Sequence, residues 1–309
     1  MNLKTQVSTH FDVATGKTQL INCIFSNCYS SSHGGAIYVN YSPAIFICMF
    51  CAFSKCRSDN HGGAICVFVS NYTRIRANCF DLCKGSISSF LVWGHFQINR
   101  FVEFNLSNEY FLDADYSSLI IGTERMIMQN NNFSKSISKE ISGIGIGSGE
   151  NIKGMEYCQI TNAMGKYFFS IQNSRSDIST RSYKSNFVNV TASVSFILIA
   201  HYISNPHFSS CIFITNSKVG LASHYNSGGL PTFNNCEFSI PYDSSLYSSI
   251  STDVNTFSVS NPNTYIFSSL DTYSCWNDNI FVSTQNFQAY SPKTLTTFIL
   301  LELVPILTI

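Results

Sequence analysis

Charge is the first thing this chain lacks. Only 12% of its 309 residues are charged, about half of the roughly 25% usual in soluble domains. Its 18 basic and 18 acidic residues cancel, and no basic run occurs anywhere. Such a balance leaves no electrostatic footprint for nucleic acid or an anionic membrane surface, so no nucleic-acid partner is expected. Proline is scarce, at 7 residues, and no long stretch carries apolar residues at helical spacing, which disfavours helical repeats. The amino-terminal MNLKTQVSTHF lacks the apolar core of about 7–15 residues that marks an export signal. Two readings stay open there: an intracellular protein, or an incomplete version of a longer precursor.

What is present is apolar and aromatic. Hydrophobic residues reach 45%, with 26 Phe and 16 Tyr, so the chain can bury a large core and is not disordered. It also repeats itself. HGGAIYVN at 33–40 returns as HGGAICVF at 61–68, and CIFSNC at 23–28 returns as CAFSKC at 51–56, both 28 residues later. Self-similarity at such a period marks stacked repeat architectures. With the aromatic of Cys-x-Phe as a phase marker, further copies follow. They are NCFDLC (78–83), then Phe133, Ile160, Phe187, Phe213 and Phe238, the last four steps being 27, 27, 26 and 25. One missing marker is expected within VEFNLSN at 102–108. About nine units result.

The units are rich in Ile, Val, Phe, Tyr, Thr and Ser and broken by Gly and Asn, a strand composition. Between the two strong copies, Cys23/Cys51, Phe25/Phe53, Ser26/Ser54, Cys28/Cys56, Gly35/Gly63, Ile37/Ile65 and Val39/Val67 are identical. Ile24/Ala52, Asn27/Lys55 and Tyr38/Cys66 drift. Retention at every second residue is what an inward strand face produces. The expected fold is all-β: a right-handed parallel β-helix of coils of 25–28 residues, with like residues stacked in ladders about 4.8 Å apart. The Gly34-Gly35-Ala36-Ile37 and Gly62-Gly63-Ala64-Ile65 phrases then mark a corner. There glycine permits positive φ or close backbone approach, and alanine fits beneath the next coil.

Gly-Gly-Ala-Ile combined with Phe25-Ser-Asn27, one residue shorter than the Phe-x-x-Asn of that pattern, resembles the repeats of the polymorphic outer membrane protein family of bacterial surface proteins. Similar repeats occur in large surface families of parasitic protists. The likeness covers 23–83 well and continues as a fading period. It implies a right-handed parallel β-helix, exposure at a cell surface and a role in adhesion.

Candidate chemistry is sparse. His33 and His61 are expected to stack one coil apart near Asp59, either capping the turn by hydrogen bonds or contributing to a metal or acid–base site. The cysteines, 12 in all with eight before residue 84, read as buried thiols, inter-coil disulfides or metal ligands. Cys23, Cys51 and Cys79 are assigned one inward register, and Cys48-x-x-Cys51 has metal-ligand spacing. A carbohydrate-active enzyme needs paired carboxylates. Asp59, Asp81, Asp113 and Asp115 come nearest to a cluster without matching the repeat frame. GIGIGSGE at 143–150 lacks the Lys-Ser/Thr of a phosphate loop and reads as a flexible turn. Sequons fall at Asn40, Asn71, Asn105, Asn132 and Asn189.

Three segments are expected: a cap or incomplete first coil over 1–22, the β-helix over 23–285, and a hydrophobic tail over 286–309. The apolar run LTTFILLELVPILTI at 295–309 is shorter than the roughly 18–20 residues that span a bilayer. It is read as a cap or a partial membrane anchor. The expected function is that of a non-enzymatic surface or adhesion protein, binding host or neighbouring-cell proteins or glycans, with no cofactor. The alternatives are a carbohydrate-active β-helix enzyme and a non-functional fragment of a surface gene family.

Overall fold

The computed structural model describes the backbone of residues 5–7, 11–13, 17–40, 45–69, 72–93, 101–105, 108–111, 117–122, 125–134, 136–147, 151–172, 181–200, 206–214, 220–225, 231–239, 251–252 and 257–259. Over these residues the chain is an all-β solenoid whose strands pair in parallel. Sheet A has 13 strands, sheet B has 9 and sheet C has 10. One circuit runs through Lys17–Ile21 in sheet C and Cys23–Ser26 in sheet A. It continues by the short Tyr29–Ser30 to Ile37–Asn40 in sheet B, then returns to sheet C at Ile45–Met49. Stacking begins ahead of residue 23: Thr5–Val7, Phe11–Val13 and Lys17–Ile21 contribute one strand to each sheet.

The phase markers form one ladder in sheet A. Phe25, Phe53 and Phe80 are register partners, as are Phe133, Ile160, Phe187, Phe213 and Phe238. Glu109 joins the two series. The rung expected at 102–108 is therefore Asn108–Phe111, while Phe101–Asn105 belongs to sheet C. An aromatic in the neighbouring strand hid a coil whose own marker is charged. The third copy also shifts. Phe80 follows Phe53 by 27 residues, so Cys79 pairs with Ala52 rather than Cys51 and packs with Ala52 and Ala77, apart from the main core. GIGIG is not a turn but part of the strand Ile141–Gly147 in sheet B. Gly143 lacks a side chain because a Cβ there would lie 2.4 Å from the Phe168 ring.

Rings in the marker ladder lie flat on one another. Phe25–Phe53 and Phe53–Phe80 are 4.9 Å apart between centroids, and Phe187–Phe213 and Phe213–Phe238 are 4.7 and 4.6 Å apart. Each such pair contributes about 0.5–1.5 kcal/mol beyond the apolar area it buries. Sheet C faces this ladder with Cys48, Ile75, Met128, Met155, Phe208 and Phe233, and sheet B with Ile37, Val39, Ile65 and Val67; all are buried.

Sharp bends on either side of each marker strand explain Cys-x-Phe. The residue before the first bend's inward side chain has positive φ: Asn22, Phe50, Ala77, Asn130, Tyr157, Lys184, Ser210 and Asn235. The bends at Asn22, Phe50, Asn130, Tyr157, Lys184 and Ser210 do not break the ladder, since their N–H groups donate to the next coil, as from Phe50 to the Arg76 carbonyl at 3.1 Å. The inward residue that follows must be small and must donate. Cys51 Sγ lies 3.3 Å from the Met49 carbonyl and 3.6 Å from that of Leu20. Cys158, Cys211 and Cys236 repeat this arrangement. Asn78 and Ser185 replace cysteine there. Asn78 donates to the Cys48 carbonyl at 2.8 Å, and Ser185 to that of Tyr183 at 3.1 Å. A thiol at this corner is thus a compact weak donor facing carbonyls of its own and the preceding coil.

Candidate functional site

The glycine pair divides its work. Gly34 and Gly62 hold φ of 60° and 69°, a region that side chains disfavour. At Gly35 the demand is contact: a Cβ would lie 2.1 Å from the Gly63 carbonyl oxygen, and at Gly63 one would lie 2.2 Å from the Lys84 carbonyl carbon. Ala36 and Ala64 follow, both fully buried, with the Ala36 N–H donating to the Ala64 carbonyl at 2.9 Å. Ile37 and Ile65, one rung apart, enter the core.

This corner sets two imidazoles on the outer side of sheet B. His33 and His61 stack at 5.6 Å with planes 12° apart. Their rings do not cap the turn. The Gly34 N–H donates to the His61 carbonyl at 2.9 Å and the Gly62 N–H to the Ser88 carbonyl at 2.8 Å, so main-chain acceptors fill that role. His61 Nδ1 is 3.4 Å from Ser88 Oγ, whereas His33 Nδ1 is buried with no hydrogen-bond partner. Near-parallel rings direct their lone pairs side by side rather than at one point, a poor geometry for sharing an ion. Among the described residues no three His, Cys, Asp or Glu side chains converge on a metal position.

Three further residues complete the cluster. Tyr38 continues the row, 5.4 Å from His33. Phe68 lies across it, perpendicular to His33 at 4.8 Å, to Tyr38 at 5.9 Å and to His61 at 6.0 Å. A β-bulge places that ring. Val67 pairs with Val39 and Val69 with Asn40, leaving Phe68 as the extra residue, and bulges re-aim side chains in this way. Under the rings sits Cys66, opposite Tyr38 in register and fully buried, in a small apolar cluster of its own with Tyr38 and Phe68. Burial raises the Cys66 thiol above its ordinary range. Burial also lowers both histidines, and His33 further disfavours charge on His61. At neutral pH the row is therefore uncharged.

The residues singled out by repetition stand elsewhere in the same coils. Phe25 and Phe53 form the stack within the core. Cys28 and Cys56 line its second corner with Cys83, and Cys51 lies at the first, with the partly exposed Cys23 beside it. The Cys56 thiol and burial hold Cys28 above its ordinary range. Cys48 and Cys51 meet around Asn78, whose Oδ1 accepts from Cys48 Sγ at 3.7 Å and from the Cys51 N–H at 2.7 Å. Among the described residues, ten cysteines stand outside any disulfide.

Four of the described carboxylates each have a side-chain partner. The Tyr29 hydroxyl donates to Asp59 at 2.6 Å, Ser54 to Asp81 at 3.5 Å and Gln129 to Glu156 at 2.7 Å, while Glu140 pairs with Lys166. Asp113, Asp115, Asn71 and the tail at 286–309 lie outside the described residues. Of the other sequons, Asn40 and Asn189 are exposed, and Asn189 donates to Asn162 Oδ1 at 3.4 Å. Tyr38, Cys66 and Phe68 escaped sequence reasoning. Alternation places Tyr38 and Cys66 outward, but nothing in HGGAICVF announces the bulge at Phe68. The chain matches no protein-family model, no curated protein and no solved structure.

Proposed function

We infer that this chain is a non-enzymatic β-solenoid of the cell surface that engages proteins or glycans of host or neighbouring cells through its outward sheet faces. The observation carrying this reading is a contrast between inward and outward register partners in the early coils. Inward register partners repeat, Phe25 with Phe53 and Ile37 with Ile65, while outward partners change: Tyr29 beside Arg57, Arg57 beside Lys84, Ile45 beside Tyr72. A stacked scaffold of this kind presents long, stiff surfaces whose decoration varies without disturbing the core. Tyr29 is 57% exposed and Arg74 lies 5.7 Å over the Tyr72 ring, and Tyr and Arg are enriched at recognition surfaces.

Protease shaving of intact source cells tests the location. Loss of the chain while a cytosolic marker survives supports the reading; full protection overturns it. Incubation with a polysaccharide panel tests the chemistry. Cleavage products that vanish when Asp59 or Asp81 is changed to Asn would replace the binding role with an enzymatic one.

A further inference from the structure

We propose that the His33–His61 stack is an acid-sensitive latch over Phe68 and Cys66, closed while both imidazoles are neutral and opened when they take up protons. The inference concerns the outer side of sheet B alone and holds whatever the surface binds. Three features of the cluster carry it.

The first is that the histidines are held face to face. At 5.6 Å and 12°, two imidazolium rings one coil apart would place like charges against each other in a partly desolvated setting. The second is that His33 Nδ1 is buried without an acceptor, so a proton arriving there has no partner. The third is the bulge. It holds the Phe68 ring perpendicular to both histidines, and bulges at such positions are built-in features rather than defects. The fully buried Cys66 lies in the same small cluster, so displacement of the rings exposes a thiol.

Other polar and titratable groups surround the stack. From the strand Phe11–Val13 comes Asp12, the register partner of Tyr38. The turn contributes Asp59, held by the Tyr29 hydroxyl at 2.6 Å. Ile37–Asn40 brings Tyr38, Ile65–Val69 brings Cys66, and Ser88 presents its hydroxyl to His61. Histidine is the side chain whose charge ordinarily changes in the range from about pH 5 to 8. Burial holds both of these below their ordinary value.

Thiol labelling of the full chain with 4,4′-dithiodipyridine, read by peptide mass spectrometry, tests the latch. Cys28, fully buried in the coil interior, serves as the internal reference. Labelling of Cys66 relative to Cys28 is expected to rise about tenfold as the pH falls through the histidine range, by local rather than global opening. His33→Gln with His61→Gln is expected to abolish the rise with an unchanged far-UV spectrum, and His61→Gln alone to reduce it. A ratio of Cys66 to Cys28 labelling that does not change with pH overturns the proposal, as does a rise that survives the double substitution.

Discussion

The coils at 23–88 and those at 181–239 share one circuit but fill it differently. In the first set a single phenyl ladder, Phe25–Phe53–Phe80, faces Leu20, Cys48 and Ile75, and the second corner is lined by Cys28, Cys56 and Cys83. In the second set two phenyl ladders meet. Phe187–Phe213–Phe238 stacks on sheet A and Phe208–Phe233 on sheet C, with edge-to-face contacts such as Phe213–Phe233 at 5.8 Å and Phe233–Phe238 at 5.6 Å. Val190 there occupies the corner position of the thiols. A solenoid interior demands volume and register, and thiols with aliphatics or crossed aromatic ladders both satisfy it.

Glycine marks a second difference. The glycine pair occurs where adjacent coils approach within backbone contact, so Gly35→Val has the largest expected effect. With a Cβ forced to 2.1 Å from the Gly63 carbonyl oxygen, the early coils should lose about 3 kcal/mol or more, seen as a lower thermal midpoint. Unchanged unfolding would remove the close-approach account. Phe213→Ala comes next, at about 3–5 kcal/mol in urea unfolding. Phe53→Ala should be milder by about 1 kcal/mol, because Phe213 adds edge-to-face contacts with Phe208 and Phe233 to its stacked partners, whereas Phe53 stacks on Phe25 and Phe80. Equal losses would mean that the crossed ladders add nothing beyond burial.

Acid should weaken both regions. His33 and His61 in the early coils and His207 in the later ones are held below the ordinary histidine value of 6.5 by burial, His207 also by Arg181. The unfolded chain therefore binds protons first as pH falls. This contribution to stability is complete above about pH 6.5 and declines below it. Thermal unfolding across that range should show the decline, and His33→Gln with His61→Gln should flatten it more than His207→Gln does.

Smaller effects probe the bends. Cys211→Ser should change stability by no more than about 1 kcal/mol, because Ser185 already fills the same corner with its hydroxyl on a carbonyl. A larger loss in denaturant unfolding would mean that sulfur volume matters more than donation. Lys55→Asn should stabilise by up to about 1 kcal/mol: Lys55 holds φ of 53° where the coil before it has Asn27 at 55°. A decrease would show that the lysine side chain contributes more than the strained backbone costs.

Much of this was readable because identical side chains must stack. Phe25 and Phe53, or Ile37 and Ile65, recur at the coil period since each is the other's neighbour in space. Where a coil departs from that pattern, reading failed for identifiable reasons. Cys79 looked like the third member of a cysteine ladder because it sits 28 residues after Cys51, yet the phenyl stack sets the register at 27. Phe104 drew attention away from the charged rung at Glu109. The glycines of GIGIG suggested a turn, although Gly143 makes room for a ring from the next coil.

By itself the amino-acid order determined the architecture: a period of 25–28 residues, alternation within each strand, glycine at the tight corner and an apolar aromatic interior. Those features are local or recur at fixed spacing, so one dimension suffices to show them. The repeat also set His33 over His61, but tertiary structure alone decided which rings join them. His33, Tyr38, His61 and Phe68 meet because coils stack and because a bulge turns one ring outward. Their contacts join residues up to 35 positions apart whose adjacency depends on the register of entire coils.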